Sequence, residues 1–144
     1  MKDILKIAVD FDGTIVEHKY PEIGKERLFA FETLRALQKE GHQLILWTIR
    51  TGKELEEAVE YCKQNGVEFY AVNKNYPEEE YDDSSTPRKI LVDLYIDDRN
   101  IGGLPGWGEI YQMINPEANL SPEEEMRKIS SSRKGKGWIK KLLE

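Results

Sequence analysis

Short apolar runs alternate along this chain with stretches whose apolar residues recur at helical spacing. Ile4 to Val9, Gln43 to Thr48, Val67 to Val72 and Leu91 to Ile96 are brief and rich in β-branched or aliphatic residues, the signature of strands buried on both faces. Between the first two, Leu28, Phe31, Leu34 and Leu37 fall on every third position, with Gly41 just beyond as a stop, and predict a helix near Lys25 to Lys39. A second helix is expected near Lys53 to Gln64. Strand and helix in alternation imply parallel pairing through right-handed crossovers. The expected fold is therefore α/β, a three-layer α/β/α sandwich on a mainly parallel, Rossmann-like sheet. Such a sheet binds ligands beyond the carboxyl ends of its strands, near the point where strand order reverses.

The stretch from Tyr76 to Lys89, rich in Pro, Glu, Asp, Ser and Thr, reads as an exposed loop, and the run from Gly102 to Gly108 as a chain of turns. The latter lacks the basic residue and spacing of a P-loop. Residues 1–115 are expected to form the core. Residues 116–144 read as an extension with helical segments, a mobile basic stretch over Ser130 to Gly137, and a terminal helix over Trp138 to Leu143.

Composition narrows the function classes. A chain of 144 residues suits one domain, and a net charge of −6 with pI near 5.1 argues against broad, sequence-blind nucleic-acid binding, which needs a dominant basic surface. Cys62 is the sole cysteine, so no internal disulfide is expected. No apolar stretch has the length of a membrane span or the form of a signal peptide, and a cytoplasmic location is the default expectation.

The chemistry concentrates where apolar runs end. Ile7 to Val9 leads into Asp10-Phe11-Asp12-Gly13-Thr14, with two carboxylates at i and i+2, which an extended chain would place on one face. A second acidic pair, Asp97-Asp98, closes the segment from Leu91 to Ile96. Two carboxylate clusters at strand ends call for a cation between them. Magnesium takes hard oxygen ligands and keeps several waters, so Asp10, Asp12 through its main-chain carbonyl, and Asp97 or Asp98 would form a sufficient protein set. His18 and His42 show no metal-pair spacing and are expected at the surface, Met113 and Cys62 in the core. Arg50 is left between a substrate contact and an exposed structural arginine.

The Asp10-Phe11-Asp12-Gly13-Thr14 segment resembles the first motif of the haloacid dehalogenase (HAD) superfamily, whose members are mostly magnesium-dependent phosphohydrolases. Leu44 to Thr48 is similar to the second motif, Lys89 to the basic third, and Asp97-Asp98 to the acidic fourth. The resemblance spans about residues 4 to 115 and rests on the ordered set. It implies an HAD-like core in which Asp10 is the nucleophile that forms an aspartyl-phosphate and Asp12 the general acid/base. Thr48 would donate to a phosphate oxygen, and Lys89, with Arg88 and Lys74 as competitors, would offset phosphoryl charge. Asp98 would bind Mg2+ directly, Asp97 through water, and the amides of Phe11 and Asp12 and those after Thr48 would complete the oxyanion contacts.

No cap domain fits between Thr14 and the first helix or between Thr48 and Lys89, so the chain resembles the capless class. Its expected partner is a phosphorylated substrate, either a small molecule or a macromolecular end. Tyr20, Tyr76 and Tyr81 are candidates for lining the entrance, and a homo-oligomer stays open. Alternatives are a narrow-specificity nucleotidase, a nucleic-acid-end phosphatase and a non-catalytic HAD-fold binding module.

Overall fold

A computed structural model describes residues 3–118. The expected terminal helix and basic stretch lie outside the described residues. The chain divides into two compact units after Leu104.

In the first unit β1 (Lys6–Val9) is followed by α1 (Ala30–Lys39), β2 (Gln43–Leu46), α2 (Gly52–Gln64), β3 (Ala71–Val72) and β4 (Leu94–Ile96). The four strands form one open sheet in the order β3-β2-β1-β4, with β1 parallel to β2 and β4, and β2 parallel to β3. The α/β architecture with a parallel sheet is thus as the apolar pattern implied. Register aligns Ala8 with Ile45 and Tyr95, and Ile45 with Ala71, so these residues share one sheet face. That face packs Ala8, Ile45 and Ala71 against Ile90, with Trp47, Val92 and Tyr95 at its margin. The connection from β3 to β4 therefore supplies apolar cover there. Right-handed crossovers put α1 and α2 together on the opposite face, where Tyr61 of α2 meets both Phe31 of α1 and Phe11 edge-on, with ring centroids 5.7 and 6.3 Å apart.

Strand order runs outward from β1 through β2 to β3, then returns to place β4 on the other side of β1. The sheet reverses between β1 and β4, so the ends of those two strands flank the crevice where open parallel sheets in general bind ligands.

Several elements are shorter than their apolar runs. α1 starts at Ala30 because Phe29 adopts a left-handed backbone, φ 66°, and breaks the helical pattern at Leu28, which is exposed. The apolar run from Val67 yields a strand only at Ala71–Val72, although Val67 is buried. Between β1 and α1 the chain folds into a flap: Val16 bridges Asp12 and Glu26, and the Glu17 and Arg27 amides donate to the Lys25 and Ile15 carbonyls at 2.8 Å. No folded domain is inserted at either cap position among the described residues.

The second unit contributes α3 (Trp107–Ile114) and a 3-10 turn over Pro116–Ala118. Gly102 and Gly103, both at positive φ, make the turns preceding it. Met113, expected in the core, is exposed, because α3 turns its apolar side at Trp107 and Ile110 instead. No helix of the described residues is long and apolar enough to cross a membrane.

Candidate active site

β1 and β4 end side by side, and the Asp10 amide extends their ladder by donating to the Ile96 carbonyl at 3.0 Å. Asp10, Asp97 and Asp98 consequently converge, each offering a carboxylate oxygen within 4.8 Å of the others. Thr14, fully buried, joins the two strand ends: its hydroxyl lies 3.0 Å from Asp10 Oδ2 and 3.2 Å from Asp98 Oδ1, and accepts from the Asp98 amide at 3.0 Å. His18, from the flap, sets its Nε2 2.9 Å from Asp98 Oδ2. This exposed histidine is at the surface as expected, but in contact with the acidic cluster.

Gly13 makes that approach possible. It sits at φ 85°, and a Cβ there would stand 2.2 Å from His18 Nε2 and 2.4 Å from Asp98 Oδ2. Only glycine combines the turn with such proximity.

Burial pushes the Asp10 carboxyl up to about 7, helped by its hydrogen bond with Asp98 and the charge of Asp97. Burial also acts upward on Asp98, but His18, Asp10 and Thr14 together hold it below the usual carboxylate range. Three carboxylates this close present hard oxygen donors and mutual repulsion, which a divalent cation would relieve. The donor set fits magnesium.

Asp12 does not join this cluster. β1 ends at Val9, and the amides of Thr14, Ile15 and Val16 all turn back to the Phe11 carbonyl, so strand alternation does not carry through to position 12. The Asp12 carboxylate is held instead by Arg50, whose Nε and Nη2 donate to Oδ2 and Oδ1 at 2.7 Å each. Arg50 is fully buried, which removes the exposed one of the two alternatives left open for it. It also donates to the carbonyls of Pro21, Glu22 and Glu54 at 3.1, 2.7 and 3.4 Å, and lies over the rings of Phe11 and Tyr20 at 5.0 and 5.1 Å. A buried guanidinium needs this many acceptors. Its pairing with Asp12 raises its own pKa despite burial.

A cleft of about 460 Å³ opens on the acidic cluster. Asp10, Asp97 and Thr48 line it, and Asn73 and Arg88 add polar groups. Asn73, at φ 55°, turns its side chain to accept the Thr48 amide at 2.8 Å, while Thr48 Oγ1 accepts from the Arg50 amide at 3.2 Å. Neither the Thr48 nor the Arg50 amide is therefore left pointing at an oxyanion. Sequence reasoning passed over Asn73 as a site residue; its signal is an asparagine just past a strand end, where that residue tolerates left-handed backbone.

Lys89 does not line the cleft. Its ammonium lies 5.4 Å above the Tyr95 ring, whereas Arg88 faces the cleft, stacked over Tyr81 at 5.4 Å and 3.4 Å from Asp83. Tyr81 lines the cleft; Tyr20 covers Arg50. His42, expected at the surface, is buried because its Nδ1 accepts the Leu5 amide at 3.0 Å. Cys62 is buried as expected, and its thiol is pushed up to about 12 by desolvation, which leaves it unreactive.

No family model matches the chain, and no curated protein matches it. Among solved structures it is similar to the conserved protein coded by a locus from Bacteroides thetaiotaomicron, with 57% sequence identity and a TM-score of 0.75. The match covers 80% of this chain and 93% of that one. At that identity and coverage, the chain belongs to the same family as this conserved Bacteroides thetaiotaomicron protein.

Proposed function

We propose that this protein is a magnesium-dependent phosphohydrolase that cleaves a phosphomonoester through an aspartyl-phosphate on Asp10. The observation that carries this reading is the convergence of Asp10 with Asp97 and Asp98 at the β1/β4 reversal, opening on a cleft that Thr48 also lines. Asp10, Thr48 and the Asp97-Asp98 pair come from the first, second and fourth of the segments by which the sequence resembles the HAD superfamily, while Lys89 of the third lies outside the cleft.

Asp10, the Asp12 main-chain carbonyl and Asp98 would hold the metal, with Asp97 acting through water. Bound there, magnesium supplies positive charge that offsets the repulsion between a phosphate and an anionic nucleophile. Asp10 attacks phosphorus, the bond to the leaving oxygen breaks, and water then attacks the aspartyl-phosphate to return the carboxylate. Thr48 donates its hydroxyl to a phosphoryl oxygen. Arg88, facing the cleft, takes the charge-neutralising role first assigned to Lys89. Asp12 is the general acid/base of this reaction, and to reach the leaving oxygen its side chain must turn away from Arg50.

Hydrolysis of p-nitrophenyl phosphate with and without magnesium, with Asp10→Asn prepared in parallel, tests the proposal. Metal-dependent turnover that disappears in the variant supports it. Turnover that persists in Asp10→Asn overturns the mechanism, because an amide cannot form the aspartyl-phosphate.

A further inference from the structure

The acidic and other polar groups form only part of the lining of the cleft. Trp47, Ile49 and Tyr81 line it. Ile49 is 86% exposed although it directly follows Thr48, and Tyr81 is 52% exposed. Isolated apolar side chains at a surface need no explanation. Three of them, two aromatic, lining the same cleft as Asp10, Asp97, Thr48, Asn73 and Arg88 give a site that offers both charge with hydrogen bonding and apolar surface.

The apolar wall is held in place. Trp47 packs at the margin of the sheet-face cluster of Ala8, Ile45, Ala71 and Ile90. Tyr81 donates its hydroxyl to Asp83 Oδ1 at 2.9 Å, and Arg88 reaches the same oxygen while lying over the Tyr81 ring. The base of this loop is pinned in turn by Asn75, whose side chain meets the Glu79 carboxylate at 2.9 and 3.1 Å and accepts the Leu91 amide at 2.7 Å. Lys6 Nζ donates to the Asn75 carbonyl at 3.3 Å. A loop tied to β1 and to itself presents a standing wall, and the cleft volume falls in the range of small-molecule sites.

Resting on the phosphohydrolase reading, we propose that the substrate is a small phosphomonoester whose leaving group carries a flat ring, seated against Trp47, Ile49 and Tyr81 while its phosphate meets Asp10. Ring-bearing and ringless substrates differ here by the stacking and apolar contact of the ring alone, provided their leaving alcohols match. Stacking on an aromatic side chain is commonly worth about tenfold or more in binding.

The test compares kcat/KM for a nucleoside 5′-monophosphate with that for ribose 5-phosphate, and for 2-phenylethyl phosphate with that for ethyl phosphate. Each pair shares a primary alcohol as leaving group. The wild type is expected to prefer the member with the flat aromatic ring by about tenfold or more, and Ile49→Ser to reduce that preference at least threefold. Ile49 is exposed, so its replacement spares the fold. In parallel, 2-phenylethylphosphonate and ethylphosphonate are titrated against tryptophan fluorescence in the wild type and in Trp47→Phe. Tighter binding of the ring compound, with a signal lost in Trp47→Phe, supports the proposal even if no substrate is hydrolysed, a result that would sink the phosphohydrolase reading alone. Equal kcat/KM within both pairs, or, without turnover, equal phosphonate binding, overturns the proposal while leaving the catalytic reading to stand or fall on its own test.

Discussion

Gly13 occupies the most constrained position in the site. Its φ of 85° disfavours any side chain, and the space a Cβ would need belongs to His18 and Asp98. Gly13→Ala is therefore expected to lower stability by about 1–3 kcal/mol, checked by denaturant unfolding, and, under the proposed magnesium site, to weaken binding of the ion in a calorimetric titration. Asp10 carries the opposite kind of strain. Its carboxyl is raised from an ordinary 3.8 to about 7, so its protonated form fits the metal-free fold and its ionised form does not. The stability this lends is fully present below about pH 4 and is lost as pH climbs towards 7. Asp10→Asn should accordingly be more stable than the wild type in chelator at about pH 8, by on the order of 2 kcal/mol after discounting for solvent that still reaches this half-buried group, and no more stable at about pH 4. Thermal unfolding at the two pH values measures the difference. The identity of these residues was legible in the sequence because carboxylates beside glycine at a strand end have few structural uses. The partner of Asp12 was not. Strand alternation predicted that Asp12 would share a site with Asp10, and a turn closing on the Phe11 carbonyl sent it to Arg50 instead.

Among the elements, the flap and the β2–α2 connection meet at one guanidinium. Arg50 follows β2, yet it binds Asp12, the flap carbonyls of Pro21 and Glu22, and the first turn of α2 through Glu54. Arg50→Met should cost about 3–5 kcal/mol, since it leaves the Asp12 carboxylate buried without its counter-charge. Adding Asp12→Leu should recover more than half of that loss, and a double-mutant cycle in urea measures it. A recovery near zero would mean that the flap carbonyls, not the ion pair, dominate. The strands themselves were readable from their apolar runs, but their ends were not. β3 keeps only Ala71–Val72 of its run, and α1 yields its first turn to the left-handed Phe29. Buried loops look like strands in sequence because both are apolar, and Val67 belongs to the former.

Across the whole first unit, the parallel sheet was foreseeable from alternation, but its strand order, with the reversal between β1 and β4, was not, because apolar runs buried on both faces do not say which neighbours they pair with. If magnesium sits at that reversal, it binds the folded state alone and should raise stability by about 2.7 kcal/mol at a concentration one hundred times its dissociation constant. Calorimetric scans of wild type and Asp10→Asn with added magnesium check this, and an equal gain in the variant would place the ion elsewhere. The pairing of β1 with β4 has one further consequence. Thr14 and Asp98, which share a hydrogen bond at the site, lie 84 residues apart in the chain. During synthesis the amino-terminal half can assemble β1, α1, β2 and α2 from neighbouring segments while its acidic crevice still lacks a second wall. Only when the ribosome has released β4 can that strand slot beside β1, so the crevice closes after its three companion strands are in place, and a chain cut short before β4 would hold Asp10 without Asp97 and Asp98.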